Sequence, residues 1–220
     1  ITENFKFLRD NIAEIASGAC TDREFLEEEL PRVVAEGLSC AERIASVVRA
    51  TKEFASPDLV HKVSVDLKSA ISSTLSIARK EYGDVAELQV ELGEMPSVVC
   101  HPAGVNQVVA GLLKNAARAV GEAHYDLGGK GRIAVFARED GDDALIEIHD
   151  DGGGIPAALH PRVFTPFFTT KVEEGCGQGL ALAHAIIVEQ HGGTIDFESE
   201  PGRTVFRVRL PLRAPSRMAA

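Results

Sequence analysis

Asp150-Asp151-Gly152-Gly153-Gly154-Ile155-Pro156 follows directly on Ala144 to Asp150, where apolar and polar residues alternate as in a strand. An acidic side chain at a strand end can accept a hydrogen bond from an adenine amino group. Glycines beside it let the backbone turn sharply and approach a base closely. Taken alone, the segment reads equally well as a simple glycine-rich turn.

Working outward, Arg132 to Arg138 is a second alternating run, joined to Ala144–Asp150 by the turn Asp140-Gly141-Asp142. Val63 to Val65, Val85 to Leu92 and Ser97 to Cys100 read as strands. Thr194 to Glu198 and Thr204 to Leu210 close the pattern around Pro201-Gly202. Helices are predicted over Leu67 to Tyr82, Pro102 to Val120 and Gly179 to Gln190, with Pro102 acceptable in a first turn. This order predicts an α+β fold, with helices covering one face of a mixed sheet.

Two further segments carry chemistry. Gly175-Cys176-Gly177-Gln178-Gly179-Leu180 runs straight into a helix, and glycine-rich backbone at a helix start presents free N–H groups to phosphate oxygens. No strand precedes it, so a dinucleotide-binding βαβ reading fails. The helix from Pro102 carries Asn115 and Arg118, three apart on one face. The Asn115 side-chain oxygen suits Mg²⁺, a hard cation that takes oxygen ligands; the alternative is an ordinary polar residue on an amphipathic helix.

Upstream, Ile1, Phe5, Leu8, Ile12 and Ile15 have coiled-coil spacing up to Ser17-Gly18, and Thr21 offers an N-cap for a second helix. That helix carries Leu26, Leu30, Val33, Leu38, Ala41, Ile44 and Val48 to about Phe54, and Pro31 either shifts its start or kinks it. Two antiparallel helices with apolar seams need a partner surface. A dimeric four-helix bundle supplies it, as would packing on the rest of the chain. The expected domains are a helical hairpin at 1–57, a nucleotide-binding domain at 58–212 and a tail at 213–220.

Composition narrows the partners. The net charge is −10, from 23 basic against 33 acidic side chains. Such a balance without a basic run disfavours nucleic acid and anionic membranes as partners. Cys20, Cys40, Cys100 and Cys176 show no zinc-type spacing and read as free thiols of a reducing compartment. No apolar run reaches the ~20 residues of a membrane span, so this segment makes no membrane contact of its own.

Together and in this order, the segments resemble the nucleotide-binding domain of the GHKL superfamily, most of all that of sensor histidine kinases. Leu112-Leu113-Lys114-Asn115-Ala116-Ala117 is similar to the N box, and Asp150 to Gly154 to the G1 box. Phe164-Thr165-Pro166-Phe167-Phe168-Thr169-Thr170-Lys171 resembles the F box of nitrogen-regulator-like kinases. Gly175 to Leu180 resembles G2, and His191-Gly192-Gly193 the usual end of the following helix. The resemblance covers about residues 58 to 212 and implies an α/β sandwich of the GHKL ATPase type, with the preceding hairpin as half of the dimerisation and phosphotransfer bundle.

The resemblance also implies roles. Asp150 would hold the adenine amino group and Asn115 would ligate Mg²⁺. Gly152, Gly154, Gly175, Gly177 and Gly179 would shape an ATP lid between Gly152 and Gln178. Arg118 and Lys171 would face phosphate charge. Phe167 and Phe168 would anchor the lid, unless they are plain core aromatics. Ile155, Thr169, Thr170, Gln178 and Leu180 complete the expected nucleotide surroundings. The implied partners are a second copy through the hairpin and the receiver domain of a response regulator. The implied location is the cytoplasm, or the cytoplasmic part of a membrane-anchored sensor.

Two features separate the subclasses. The GHKL hydrolases and Ser kinases resemble each other in a Glu four residues before the N-box Asn, the general base for a hydroxyl or water. Gly111 stands there. Ile1 to Ser17 holds no His, and by resemblance the phosphoacceptor His is expected upstream of Ile1. A non-catalytic nucleotide module is the third alternative, disfavoured by intact Asn115 and Asp150.

Overall fold

The strong alternation of Gly131–Asp140 and Arg203–Pro211 puts one side of each strand inside. Ile133, Val135 and Ala137 face inward on the first, and Thr204, Phe206, Val208 and Leu210 on the second. The computed structural model describes residues 31–35, 37, 62–124, 129–170 and 177–212. The chain divides into two compact units, and the second, Asp58–Thr169 with Gly177–Ala220, carries the sheet. Of the first unit, residues 31–35 and 37 are helical, with Val33 buried and Val34 exposed. The coiled-coil seam at Ile1 to Ile15, the remaining hairpin and the tail lie outside the described residues.

The second unit orders its elements as β1 (Val63–Val65), α1 (Leu67–Ile77), α2 (Arg79–Tyr82), β2 (Ala86–Leu92), β3 (Val98–Cys100), α3 (Pro102–His124), β4 (Gly131–Asp140), β5 (Asp143–Asp150), α4 (Gly179–His184), β6 (Thr194–Glu200) and β7 (Arg203–Pro211). β1 and β3 form an antiparallel pair, and the main sheet runs β2-β4-β5-β7-β6. β2 lies parallel to β4 while every other pairing is antiparallel, which makes the sheet mixed as expected. Helix α3 buries Val105, Val108, Val109, Leu112, Leu113, Ala116, Ala117 and Val120 in the core it shares with the sheet.

The other face of the sheet is closed by charge. Arg207 on β7 reaches Glu147 on β5 at 3.1 Å and Glu198 on β6 at 3.1 Å, and Arg138 on β4 reaches Glu147 at 2.7 Å. Opposite charges alternate across four strands on this face, which also carries Leu145 and Val205, both buried.

Of the three predicted helices one breaks within its span, one runs longer, and one keeps its span but changes its winding. The run Leu67 to Tyr82 breaks at Ala78, and Tyr82 Oη donates to the Leu75 carbonyl beneath the break. Helix α3 continues to His124, because Gly121 packs against Val85 without interrupting the turn. Helix α4 widens into a π-helical stretch at Ala185–Gln190. His191 Nδ1–H donates to the Ile186 carbonyl at 2.6 Å, and its Nε2 accepts the His101 backbone N–H at 2.9 Å. One buried imidazole thus ties the end of that helix to the start of α3.

Candidate nucleotide site

β5 ends at Asp150, buried on the inner face between Ile133 of β4 and Thr204 of β7. Its Oδ1 accepts the Gly152 N–H at 3.0 Å, and Thr204 is its cross-strand neighbour. Burial dominates the electrostatics: loss of water, with a small push from Asp151, raises the Asp150 carboxyl from 3.8 to about 6, against the Gly152 hydrogen bond. A carboxylate kept short of water at the end of a strand has lone pairs left for a further donor.

The glycines after it are required by contact. A Cβ on Gly152 would lie 2.7 Å from the Ala119 backbone, so this turn rests directly on α3. Gly154 has φ +76°, and a Cβ there would lie 2.6 Å from the Glu200 carbonyl oxygen. The Gly202 N–H donates to the Gly152 carbonyl at 2.9 Å, clamping the turn from the β6–β7 side. Asp151 faces the other way: its Oδ1 accepts the Arg132 N–H at 2.8 Å and lies 3.4 Å from His124 Nε2.

Because Ala119 sits one helical turn beyond Asn115, the Gly152 contact brings the Asn115 face of α3 to the Asp150 turn. Asn115 is half-buried and Arg118 exposed. A Cβ on Gly111 would meet nothing within 4 Å, so a carboxylate would fit sterically there and is absent. Among the described residues no cluster of three or more His, Cys, Asp and Glu could hold a metal. The Asn115 side chain offers one amide oxygen, a hard donor of the kind Mg²⁺ takes.

The segment expected as one long lid is divided. Ala157–Arg162 forms a 3₁₀ helix, and Val163 is buried. His160 and Phe164 meet the Phe197 ring of β6 edge to face, at 5.0 and 5.9 Å between ring centroids, so aromatic packing fixes this half. Ile155 is half-buried and Thr169 likewise, while Thr170 is exposed. Phe167 does not act as an anchor against the domain: it is 61% exposed, with φ 64°, a strained value for a non-glycine residue. Phe168 packs instead beneath the Arg162 guanidinium, 4.4 Å from its ring centroid. Gly177, with φ +66°, rests on the Phe168 backbone, where a Cβ would come within 2.6 Å. Gln178 precedes α4, whose first turn has no side-chain cap, Gly179 is exposed, and Leu180 packs on the core. Lys171, Gly175 and Cys176 lie outside the described residues.

Residues 100–214 match the family described as histidine kinase-, DNA gyrase B- and HSP90-like ATPases. The chain belongs to that family. This ATPase domain is 35% identical over 176 residues to the sensor histidine kinase ZraS of Escherichia coli K12, covering 78% of the chain and 36% of ZraS. It is 30% identical over 233 residues to the sensory histidine kinase/phosphatase NtrB of Azospirillum brasilense, covering the whole chain and 58% of NtrB. The chain therefore spans between about a third and three-fifths of these relatives. Among solved structures, the catalytic domain of histidine kinase ThkA shares the fold, with a TM-score of 0.61 at 22% identity over 70% of the chain and 97% of that domain.

Sequence reasoning missed Thr204 and Ser199, which stand in one row with Asp150. The signal was present: Thr204 is a polar residue at an inward position of β7, in register with Phe206, Val208 and Leu210.

Proposed function

We propose that the chain is the ATP-binding catalytic core of a sensor histidine kinase, which moves the γ-phosphoryl group of Mg·ATP to a histidine and thence to an aspartate of a response-regulator receiver domain. The observation that carries this reading is the lock of Gly152 onto α3. It sets the buried Asp150 beside the face that bears Asn115, where no carboxylate precedes the asparagine. An imidazole has its own lone pair and needs no general base, whereas water or a Ser hydroxyl does. The names of the relatives support the same assignment.

In this reading Asp150 accepts the adenine amino group, and Gly152 and Gly154 let the base approach. Asn115 would hold Mg²⁺, which supplies charge neutralisation across the phosphates. Arg118 and Lys171 face phosphate charge. Gly175, Gly177 and Gly179 lead to the uncapped start of α4, whose amides suit phosphate oxygens. The helices at 1–57 pair with those of a second copy, and the phosphotransfer takes place in the cytoplasm, where ATP and receiver domains meet.

The test is incubation with γ-labelled Mg·ATP, with the chain alone and with a histidine-bearing dimerisation helix supplied in trans. Acid-labile phosphohistidine should form on that helix and be lost in Asn115→Ala. Steady ADP release without labelled protein would favour a water-directed ATPase. Nucleotide binding with neither outcome would favour a non-catalytic module.

A further inference from the structure

Ile155 is the first residue beyond the glycine turn, and side chains hold both of its peptide groups. Its N–H donates to Ser199 Oγ of β6 at 2.8 Å. Its carbonyl oxygen lies 2.8 Å from His160 Nε2. A carbonyl only accepts, so Nε2 carries the hydrogen and donates it. Pro156 follows, which disfavours helical backbone at Ile155 and has no N–H of its own to bond.

His160 can hold that carbonyl because its ring is placed from elsewhere. It stands in the 3₁₀ helix Ala157–Arg162, five residues on from Ile155. Its ring meets Phe197 of β6 at 5.0 Å between centroids with 77° between planes, and Phe197 stacks in turn on Phe206 of β7 at 5.4 Å. An edge-to-face contact fixes the plane of the imidazole, and with it the direction of its Nε2–H bond. The brace on Ile155 is thus anchored in the sheet. The glycine turn is then held at both ends: at Gly152 by the Gly202 N–H, and at Ile155 by Ser199 and His160. Between these points Gly154 lies against the Glu200 carbonyl, where a Cβ would come within 2.6 Å, so the turn has little room to shift.

We infer that His160 is a positioning residue for nucleotide binding: by donating to the Ile155 carbonyl, it holds the far end of the glycine turn in the shape that the base meets. The inference rests on the nucleotide reading of this site. A turn ordered before the ligand arrives loses less conformational freedom on binding. Without the donor, Ile155 keeps its bond to Ser199 while its carbonyl is released, and binding must then supply the missing order.

Two substitutions separate the donor from the ring. His160→Phe keeps an aromatic ring against Phe197 and removes the donor. His160→Gln keeps an N–H donor at about the place of Nε2 and removes the ring. Each loses one contact of similar size, so thermal unfolding should place the two variants close together. Calorimetry with ADP and Mg²⁺ on the full chain should part them. His160→Phe should weaken ADP about threefold to tenfold, and His160→Gln less than about twofold. Without nucleotide, exchange of the Ile155 amide should quicken in His160→Phe and not in His160→Gln, with the Gly202 amide unchanged in both. Unchanged ADP affinity in His160→Phe, a weaker His160→Gln, or affinities that follow Tm and not the donor would overturn the inference while leaving the site a nucleotide site. A wild type that binds no ADP would overturn the nucleotide reading, and the inference with it.

Discussion

Replacing Asp150 with Asn should make the nucleotide-free protein more stable and the nucleotide complex weaker. Asp150 is 7% exposed, and its carboxyl is raised from 3.8 to about 6, chiefly by loss of water. At ~1.4 kcal/mol per tenfold change in proton affinity, keeping it ionised above pH 7 costs the fold about 3 kcal/mol. Asn retains an oxygen for the Gly152 N–H, while its NH₂ group needs an acceptor and gives back about 1 kcal/mol. The net gain near pH 8 is about 2 kcal/mol, or roughly 4–8 °C in Tm for a domain of this size. The sign follows from the raised value. The native state binds the extra proton between about pH 4 and 6, so the contribution of the acid is fully present below about pH 4 and lost as pH rises through about 6. The advantage of Asn should therefore shrink toward zero at pH 4 and reach its plateau above pH 7. Thermal unfolding followed by circular dichroism from pH 4 to 8 measures this, and calorimetry should show ADP weakened about tenfold or more. A variant less stable than the wild type at pH 8, or a gain that does not vary with pH, would refute the account.

His191→Ala should cost about 2–3 kcal/mol, since it leaves the Ile186 carbonyl and the His101 N–H without their partner. Burial holds the His191 imidazole below its ordinary 6.5, so its contribution is present above pH 6.5 and lost as pH falls through the lower native value. Urea unfolding at pH 8 and pH 5.5 should show the difference between wild type and variant narrowing at the acid end. Hydrogen exchange should be slow at residues 157–164 without nucleotide, where aromatic packing already fixes the chain. Protection over residues 165–178 should rise on adding Mg·ADP, and a segment equally protected in both states would count against a moving lid.

The inward register of β4, β5 and β7 was legible because alternation of period two leaves little choice of face. Asp150 was legible for the same reason, as an acid at an inward position with glycines after it. What escaped were features decided by partners distant in sequence. Nothing local marks Ala78 as a break; the Tyr82 hydroxyl reaching Leu75 helps to make it one. Nothing near Ala185 announces a π stretch, whose end is held by His191 from His101, ninety residues earlier. The lid was read as one piece from its glycines and prolines, because the residue that pins its first half, Phe197, belongs to β6.

That distinction bears on the site itself. The residues read from motifs, Asp150, Asn115 and Gly152, are those a ligand would meet. The residues found only in the structure, Thr204 and Ser199, meet no motif and stand in the same row of the sheet as Asp150. Their placement requires three strands to arrive in register, with Ser199, Thr204 and Asp150 abreast. A one-residue slip of β6 or β7 would turn those hydroxyls to the charged outer face. The sheet's register, set by the apolar face beneath, therefore also decides which side chains stand beside the carboxylate at the end of its central strand.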